Sequence, residues 1–463
     1  MPTQFRIGAL LTSSTLLAGC SLGPHYKAPQ PAAVKFRGVD GNLLSEAPLD
    51  ARWWGQFEDP VLDTLMDRAL TANNTIRIAR ARLAESRAVF DERKLDRVPT
   101  VTVDGSYQYT KEQIPGFGDQ RQVVNTFRSG FDAFWEADLF GRVRHNVAAA
   151  QANNQAAEAD LRDVQVSVVA ELARNYFELR GAQWQLAVAE RSLTNQRETL
   201  RLTQLRRDAG VGEEQDVASA AARVAAIEAS IPSIEFEITR AQYHMAVLTG
   251  TRPGELNADL TPRDYPAIAK VLPIGDPGEL LKRRPDVRAA ERRLAAATER
   301  QGVASAGLFP QVSVSGFVGF LAGRGTTFFT GDSKAYSVTP GLSWSAFDLG
   351  RARARVHGSS AVTDEALATY EETVLRALEE TESSFASYHT EQARLIKLND
   401  QARESKRAAD IARLRYREGV IDFLSLLDAE RTQLQAEDAV AQSERDVYVA
   451  VIAVYKALGG VPG

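Results

Sequence analysis

The heptapeptide LRRDAGV, residues 205–211, recurs in altered form as LRYREGV, residues 414–420. The two copies are 209 positions apart (419 minus 210, from Gly419 and Gly210), and the same offset relates Gly250 to Gly459. It also holds upstream, where Trp135, Gly141, Arg142 and Arg144 match Trp344, Gly350, Arg351 and Arg353. Similarity at a fixed offset along most of a chain indicates a fold built from two equivalent halves, a two-fold internal repeat.

Composition excludes two broad classes of protein. The 463 residues carry a net charge of −5, so there is no basic surface of the kind that binds nucleic acid. Charged residues make up 25% of the chain, and the mean hydropathy is −0.26. These values exclude a polytopic helical membrane protein, and since no run of about 18 uncharged apolar residues occurs, we expect no transmembrane helix.

The N-terminus predicts export and lipidation. An apolar stretch of signal-peptide size, residues 7–17, follows Arg6 and runs into Leu17-Ala18-Gly19-Cys20, which resembles a bacterial lipobox. Cys20 is the only cysteine, so we interpret 1–19 as a signal peptide and Cys20 as the acylated first residue. The alternative is an ordinary signal peptide that contains a cysteine. Ser21 in place of aspartate favours the outer membrane as the destination.

Two pairs of short amphipathic segments read as β-strands. In the first, Val101, Val103, Gly105, Tyr107 and Tyr109 alternate with polar residues, which is the period-two pattern of a two-faced strand. The others are the aromatic-rich segments 126–139, 311–321 and 334–347. Their length, alternation and aromatic residues suit a transmembrane barrel, with a small soluble sheet as the alternative.

Very long helices follow each pair of strands. Leucines recur every seventh residue at 172, 179, 186, 193 and 200, which is the pattern of a coiled coil. The uninterrupted segment 142–207 predicts a helix of about 100 Å. Gly210 and Gly212 interrupt it before a returning helix, 214–249, and the second half repeats this hairpin over 351–417 and 423–458.

We therefore divide the chain into a signal peptide, a lipidated tether, two repeats, a linker and a tail. The corresponding ranges are 1–19 for the signal peptide, 20–58 for the tether, 59–250 for the first repeat, 251–276 for the linker, 277–459 for the second repeat and 460–463 for the tail. Each repeat is expected to contain a helix, two strands and a long α-hairpin. Four strands cannot close a barrel in a bilayer, because the smallest spanning barrels have about eight, so the chain must assemble with copies of itself.

Five motifs in order carry a family resemblance. They are CSLGPHY (20–26), WWGQF with DP (53–60), WEADLFGR (135–142), RRPDV (283–287) and GVIDFL running into LDA (419–429). With the duplicated strand-and-hairpin pattern, the chain resembles a TolC/OprM-type outer membrane efflux protein of the lipoprotein (NodT) subgroup that serves RND-type pumps. His25 stands where the family often has aspartate.

The resemblance implies an α+β membrane protein. Three chains would form a homotrimer with a twelve-stranded β-barrel in the outer membrane, continuing into an α-helical coiled-coil tunnel through the periplasm. Its partners would be a periplasmic adaptor (membrane fusion) protein and an inner-membrane RND-type transporter. The chain would conduct drugs or other small molecules passively and would not be an enzyme. A lipid-anchored periplasmic coiled-coil scaffold, or the same channel serving metal or type I polypeptide export, are the alternatives.

The resemblance also implies a gate at the hairpin turns, around Gly210 and Gly419. In the family, acidic residues ring a closed aperture here and a tyrosine ties neighbouring hairpins together. Counted from Gly419, the candidates are Asp422, Asp428 and Tyr416 in the second turn, and Glu213 and Glu214 in the first. Three copies of Asp422 would form a carboxylate ring that favours cations. Asp422 is also well placed to be the N-cap of the following helix.

No catalytic, cofactor or metal site is indicated. There is no phosphate-binding glycine loop and no nucleophile elbow, and the five histidines are scattered without ligand spacing. We expect no cofactor beyond the covalent lipid on Cys20. The charged stretch at Arg284 and Pro285 reads as a helix start rather than a site, since proline suits a first helical turn.

Overall fold

The structure is a computed structural model. It describes residues 22–24, 26–29, 36, 43–48, 50–113, 120–266, 268, 271–276 and 279–460. The predicted signal peptide 1–19, the predicted acylation site Cys20 and residues 461–463 of the predicted tail lie outside the described residues.

The helices and strands are given in chain order. They are β1 (Leu44–Ser45), α1 (Pro60–Ala72), α2 (Asn74–Leu95), β2 (Thr100–Gln113), β3 (Arg121–Ala137), α3 (Arg142–Asp208), α4 (Glu214–Leu248), β4 (Leu272–Pro273), α5 (Leu280–Arg283), α6 (Pro285–Ala306), β5 (Gln311–Ala322), β6 (Lys334–Ser343), α7 (Leu349–Arg417) and α8 (Phe423–Ala457). The chain forms two compact units: a sheet unit within 1–30, 82–158 and 289–372, and a helical unit within 31–81, 159–288 and 373–463.

The sheet unit contains one antiparallel sheet in the order β2-β3-β5-β6. Its register places Val103 opposite Phe131, Phe131 opposite Val318, and Val318 opposite Tyr336. Because side chains alternate along each strand, these four belong to one face of the sheet. All four are at least half exposed. β2 and β6 each have one edge without a partner strand among the described residues.

The opposite face of the sheet is mostly polar. Arg128 on β3 donates a hydrogen bond of 2.6 Å to Asp104 on β2 and also forms an ion pair with Asp132. The Arg128 guanidinium lies 4.1 Å from the centre of the Phe317 ring on β5. One sheet therefore has an exposed apolar, aromatic face and a face that carries charge. β6 ends at Ser343, four residues before the end that the sequence pattern predicts.

The core of the helical unit contains a cluster of packed aromatic rings. The short helix Trp53–Phe57 buries Trp54 and Phe57, and Trp53 stacks on Tyr455 with ring centres 5.1 Å apart. Asp59 caps α1 by accepting hydrogen bonds from the first-turn amides, and Pro60 occupies the first helical position. The WWGQF motif is thus a packing motif, and the DP that follows it starts a helix.

The first long helical segment is two helices rather than one. The sequence pattern predicts helix from about 59 to 99, whereas the structure has α1 and α2 on either side of Asn73. Asn73 accepts hydrogen bonds from the amides of Thr75 and Ile76, and its Nδ2 donates 2.8 Å to the Leu248 carbonyl. Asn73 thus caps α2 and also binds the last residue of α4, and this arrangement requires the break between α1 and α2.

The long helices end where the sequence predicts. α3 spans 67 residues and α7 spans 69, and α4 and α8 have 35 each. Leu172, Leu179 and Leu193 of the leucine seam are buried. By length and composition alone, α4 is apolar enough to cross a membrane, whereas the sequence predicts no transmembrane helix. Three of its apolar residues, Val224, Ile227 and Met245, lie in core clusters of the helical unit.

Within the helical unit, the linker makes a short parallel strand pairing, and a buried arginine that follows the linker binds α7 and α8. β4 of the linker pairs with β1. Arg284 is 7% exposed; it donates 2.8 Å to the Ala457 carbonyl at the end of α8 and 2.7 Å to Glu380 on α7. Pro285 is the first residue of α6, as the sequence predicts, and Asp286 also binds Arg284. The RRPDV motif therefore fastens α6 to α7 and α8.

Candidate functional site: the hairpin turns

The two hairpin turns have the same backbone geometry. Gly210 has φ of +74° and Gly419 has φ of +73°. In the first turn the Val211 amide donates 2.9 Å to the Arg206 carbonyl, and in the second the Val420 amide donates 2.8 Å to the Arg415 carbonyl. A second bond joins each glycine amide to the carbonyl three residues earlier. These are Schellman motifs, which close a helix and need a left-handed residue that only glycine adopts without strain.

Asp422 is the N-cap of α8. Its Oδ1 accepts a hydrogen bond of 2.7 Å from the Ser425 amide, and its backbone is extended. Hydrogen bonds from Ser425, from its side chain first and then its backbone amide, lower the pKa of the Asp422 carboxyl. The capping interpretation of Asp422 is therefore realised in the structure. Its place in a carboxylate ring stays a prediction.

The remaining acidic candidates differ in their surroundings. Asp428 is exposed and forms an ion pair of 2.7 Å with Arg431, one turn along α8. Glu214 pairs with Arg207 at 3.1 Å, from one side of the first turn to the other. Glu213 occupies the N-cap position of α4 but makes no side-chain cap. Of the two turns, only the second thus has a carboxylate that caps the helix after it, which is Asp422 at the start of α8.

Tyr416 is buried and links the two turns. It is 3% exposed and packs in a cluster with Ala220, Ala412, Phe423 and Leu426. The Arg206 guanidinium lies 4.7 Å from the centre of the Tyr416 ring, and Arg206 Nη1 donates 2.8 Å to the Tyr416 carbonyl. This geometry joins the first hairpin of the chain to its second at the turns.

A buried carboxylate that the sequence analysis did not single out lies further along the same helices. Glu430 on α8 is 4% exposed and accepts 2.8 Å from Nε of Arg413 on α7. Thr199 and Gln196 on α3 also donate to it. Glu430 therefore binds both hairpins of the chain, as Tyr416 does.

The signal that could have revealed Glu430 is its position in the heptad pattern. Phe423, Glu430, Glu437, Glu444 and Val451 are spaced by seven along α8. The seam position of a coiled coil is apolar in most heptads, so glutamates there require partners inside the bundle. Arg413 offers no comparable signal, because arginine is common on helix surfaces.

The chain is similar to known proteins along nearly its whole length. The outer membrane efflux protein family profile matches residues 65–251 and 277–460. Outer membrane protein OprJ of Pseudomonas aeruginosa is 30% identical over 460 residues, 98% of this chain and 96% of that protein. The toluene efflux pump outer membrane protein TtgI of Pseudomonas putida is 30% identical over 456 residues, 96% of each. A solved structure of the outer-membrane channel OprN superposes with a TM-score of 0.93 at 50% identity, covering 95% of this chain and 99% of that one.

Proposed function

The chain belongs to the outer membrane efflux protein family, and we propose that three copies of it form the duct through which a tripartite pump releases small molecules. The resemblance drawn from the five motifs is confirmed. The protein is an outer membrane exit channel that extends into the periplasm, since relatives that match it over 96% of both chains are named as outer membrane proteins of efflux pumps.

One observation supports the trimeric barrel above all others. The four-stranded sheet has an exposed apolar face, and its β2 and β6 edges have no partner strand within the part of the chain that the structure describes. In a bilayer, unpaired backbone groups cost several kcal/mol each, so edges of this kind must pair. The β2 edge of one copy can pair with the β6 edge of the next, and three copies supply twelve strands. The apolar face would then contact lipid and the polar face with Arg128 would line the lumen.

The hairpins of the three copies would continue the barrel as a coiled-coil tunnel built from the two repeats, 59–250 and 277–459. The gate is proposed at the turns, where Asp422 and Asp428 from three copies would place negative charge around the aperture, with Glu213 and Glu214 beside them. Tyr416 would act from within each chain, by holding its two hairpins in one arrangement with Arg206.

The partners and cargo follow from the family and from what its members are named for. A periplasmic adaptor would dock near the hairpin turns, and an RND-type inner-membrane transporter would supply the energy. TtgI is named for toluene efflux, and for the present chain we propose drugs or other small apolar molecules as cargo. The family is one of transport proteins, and we propose a passive conduit without catalytic residues. A lipid on Cys20, after removal of 1–19, would anchor each chain.

The native mass of the mature protein, extracted from membranes in detergent, tests this arrangement. A particle of three chains with acyl chains on Cys20, conducting ions in a planar bilayer, is the expected result. A monomer or dimer that leaves the cell envelope without detergent would contradict the barrel. That outcome would favour a lipid-anchored periplasmic scaffold.

A further inference from the structure

Three glutamates occupy successive seam positions of α8, and among the described residues only Glu444 has no counter-charge beside it. Glu430 is bound by Arg413. Glu437 accepts 2.7 Å from Gln433 and lies 3.9 Å from Arg191. The Oε2 atom of Glu444 is buried and has no hydrogen-bond partner among the residues that the structure describes. A carboxylate oxygen taken out of water without a partner is costly, so its retention at this position needs an explanation.

Glu444 lines a cavity of about 540 Å³ in the helical unit. The wall is formed by α3, α7, α8, the linker and Leu43, and four aromatic residues contribute to it: Trp184, Tyr265, Tyr388 and Tyr448. A volume in this range, with an apolar lining and few polar groups, is typical of sites for small organic molecules. We call it the Glu444 cavity.

The aromatic wall is held in place by its own contacts. The Tyr265 ring stacks on the Tyr448 ring with centres 4.7 Å apart, and Trp184 lies 5.6 Å from Tyr265. The Tyr448 hydroxyl donates to the Pro266 carbonyl. The Tyr265 hydroxyl is buried and, like Glu444 Oε2, has no partner within the described part of the chain. The cavity thus has a fixed aromatic wall, and two polar atoms without partners are buried beside it.

The described residues that line the cavity carry negative charge. They include the carboxyls of Glu444 and Asp264 and no lysine, arginine or histidine. Arg445, the neighbour of Glu444 in sequence, is paired with Asp446 at 2.7 Å. Burial alone raises the pKa of the Glu444 carboxyl to about 7, and no cation among the described residues offsets it.

We propose that the Glu444 cavity binds an organic cation, with its positive charge paired to the Glu444 carboxylate and its apolar substituents against the aromatic wall. The two features of the cavity each select for this class. An unpaired carboxylate in a low-dielectric site attracts positive charge, and an aromatic lining accepts apolar groups and stabilises cations. A bare divalent ion fits poorly, because it requires several oxygen ligands and the aromatic wall offers few.

Glu444 is the group at this site that titrates near neutral pH. The linker presents Asp264, which is exposed, and Tyr265; α7 presents Tyr388, and α8 presents Tyr448 with the Arg445–Asp446 pair. Burial raises the pKa of each of the three tyrosine hydroxyls above its usual value, so they stay neutral. On α3 the lining residue is Trp184, which does not titrate. Cation binding should therefore strengthen as the pH rises through about 7.

The test uses tetraphenylphosphonium as the probe and tetraphenylborate, an anion of nearly the same size and shape, as the control ligand. The full-length mature protein is kept in a zwitterionic detergent, and binding is read from tryptophan fluorescence, to which Trp184 contributes. We expect saturable binding of the phosphonium, about tenfold tighter at pH 8 than at pH 6. Glu444→Gln should weaken binding about tenfold and abolish its pH dependence, as expected for loss of one charge contact.

Glu437→Gln is the matched control, because it removes a carboxylate one heptad away that already has a cation; it should bind the phosphonium like the wild type. Trp184→Phe should remove the fluorescence change, which locates the ligand. Equal binding of tetraphenylborate, or unchanged binding by Glu444→Gln, would overturn the proposal. Binding is measured without a membrane and conductance in a planar bilayer, so failure here leaves the channel function untouched.

Discussion

The Nε atom of Arg413 lies 2.8 Å from Oε1 of Glu430, a carboxylate that is 4% exposed between the two helical hairpins. Arg413 also donates 2.8 Å to Gln433, while Thr199 of the first hairpin donates to the same carboxylate. The pair is therefore a joint between α3, α7 and α8. Removal of one member of such a pair costs more than replacement of both by apolar groups.

We predict that Arg413→Ala destabilises the hairpin ends by about 2 kcal/mol, a value reduced because Arg413 is about a quarter exposed. Hydrogen exchange of the amides near both turns should accelerate, while exchange in the sheet stays unchanged. The double variant Arg413→Leu with Glu430→Leu should recover much of the loss, since it leaves no buried charge unpaired. Equal exchange in Arg413→Ala and wild type would show that the joint contributes nothing.

The two turn glycines offer a test of backbone strain without steric conflict. Among the described residues, a Cβ atom at Gly210 would meet nothing within 4 Å, and one at Gly419 would meet only Arg206 Nη1, at 4.0 Å. We predict that Gly419→Ala costs about 1–2 kcal/mol through its left-handed backbone alone. Gly419→Asn should cost less, because asparagine tolerates this conformation better. Thermal unfolding and protease cleavage at the turn measure the difference; equal losses would point to a cause other than φ.

Asp422 can be separated into its capping and charge roles by two substitutions. Asp422→Asn keeps a side-chain oxygen for the Ser425 amide and loses the charge, whereas Asp422→Ala loses both. We predict that Asp422→Ala measurably lowers the stability of α8 and that Asp422→Asn does so much less. If a carboxylate ring controls the aperture, both variants should lower the cation selectivity read from reversal potentials in planar bilayers. If the selectivity is unaltered in both variants, capping of α8 is the only one of the two roles that Asp422 has.

The pH dependence of this cap has a definite sign. The folded-state pKa of Asp422 is lowered by its hydrogen bonds with Ser425. A carboxyl of this kind contributes stability that is present above its unfolded-state pKa and is lost as the pH falls through the folded-state value. The stability difference between wild type and Asp422→Ala should therefore be constant near neutral pH and shrink in acid, below about pH 4. A difference that grew on acidification would contradict the capping role.

The sequence predicted the long elements well because their signals are periodic and repeated. The ends of α3 and α7 coincide with the predicted turns, since Gly210 and Gly419 are required there by their backbone angle. The break at Asn73 was missed, because its reason is a hydrogen bond to Leu248, 175 residues away. For the same reason the Glu430 and Glu444 sites were not foreseen. The sequence shows that a glutamate occupies a seam position. It does not show whether a neighbouring helix places an arginine beside that glutamate.

The faces of the sheet allow the barrel to be tested with neighbouring residues on one strand. Val338 and Thr339 are adjacent on β6, so their side chains lie on opposite faces of the sheet. Their paired residues on β5 are Gly316 and Ser315, respectively. Val338 is 73% exposed on the apolar face. If that face contacts lipid, arginine there should cost about 2–4 kcal/mol near the middle of the bilayer, whereas arginine on the lumen face should cost little.

We therefore predict that Val338→Arg lowers the yield of folded trimer in the outer membrane several-fold, while Thr339→Arg assembles like the wild type. Semi-native gel electrophoresis of membrane fractions, with and without heating, measures the folded trimer in each case. Thr339→Arg should also reduce conductance to cations in a planar bilayer, because it adds positive charge to the lumen. Loss of the trimer in both variants alike would mean that the two faces are not divided between lipid and water.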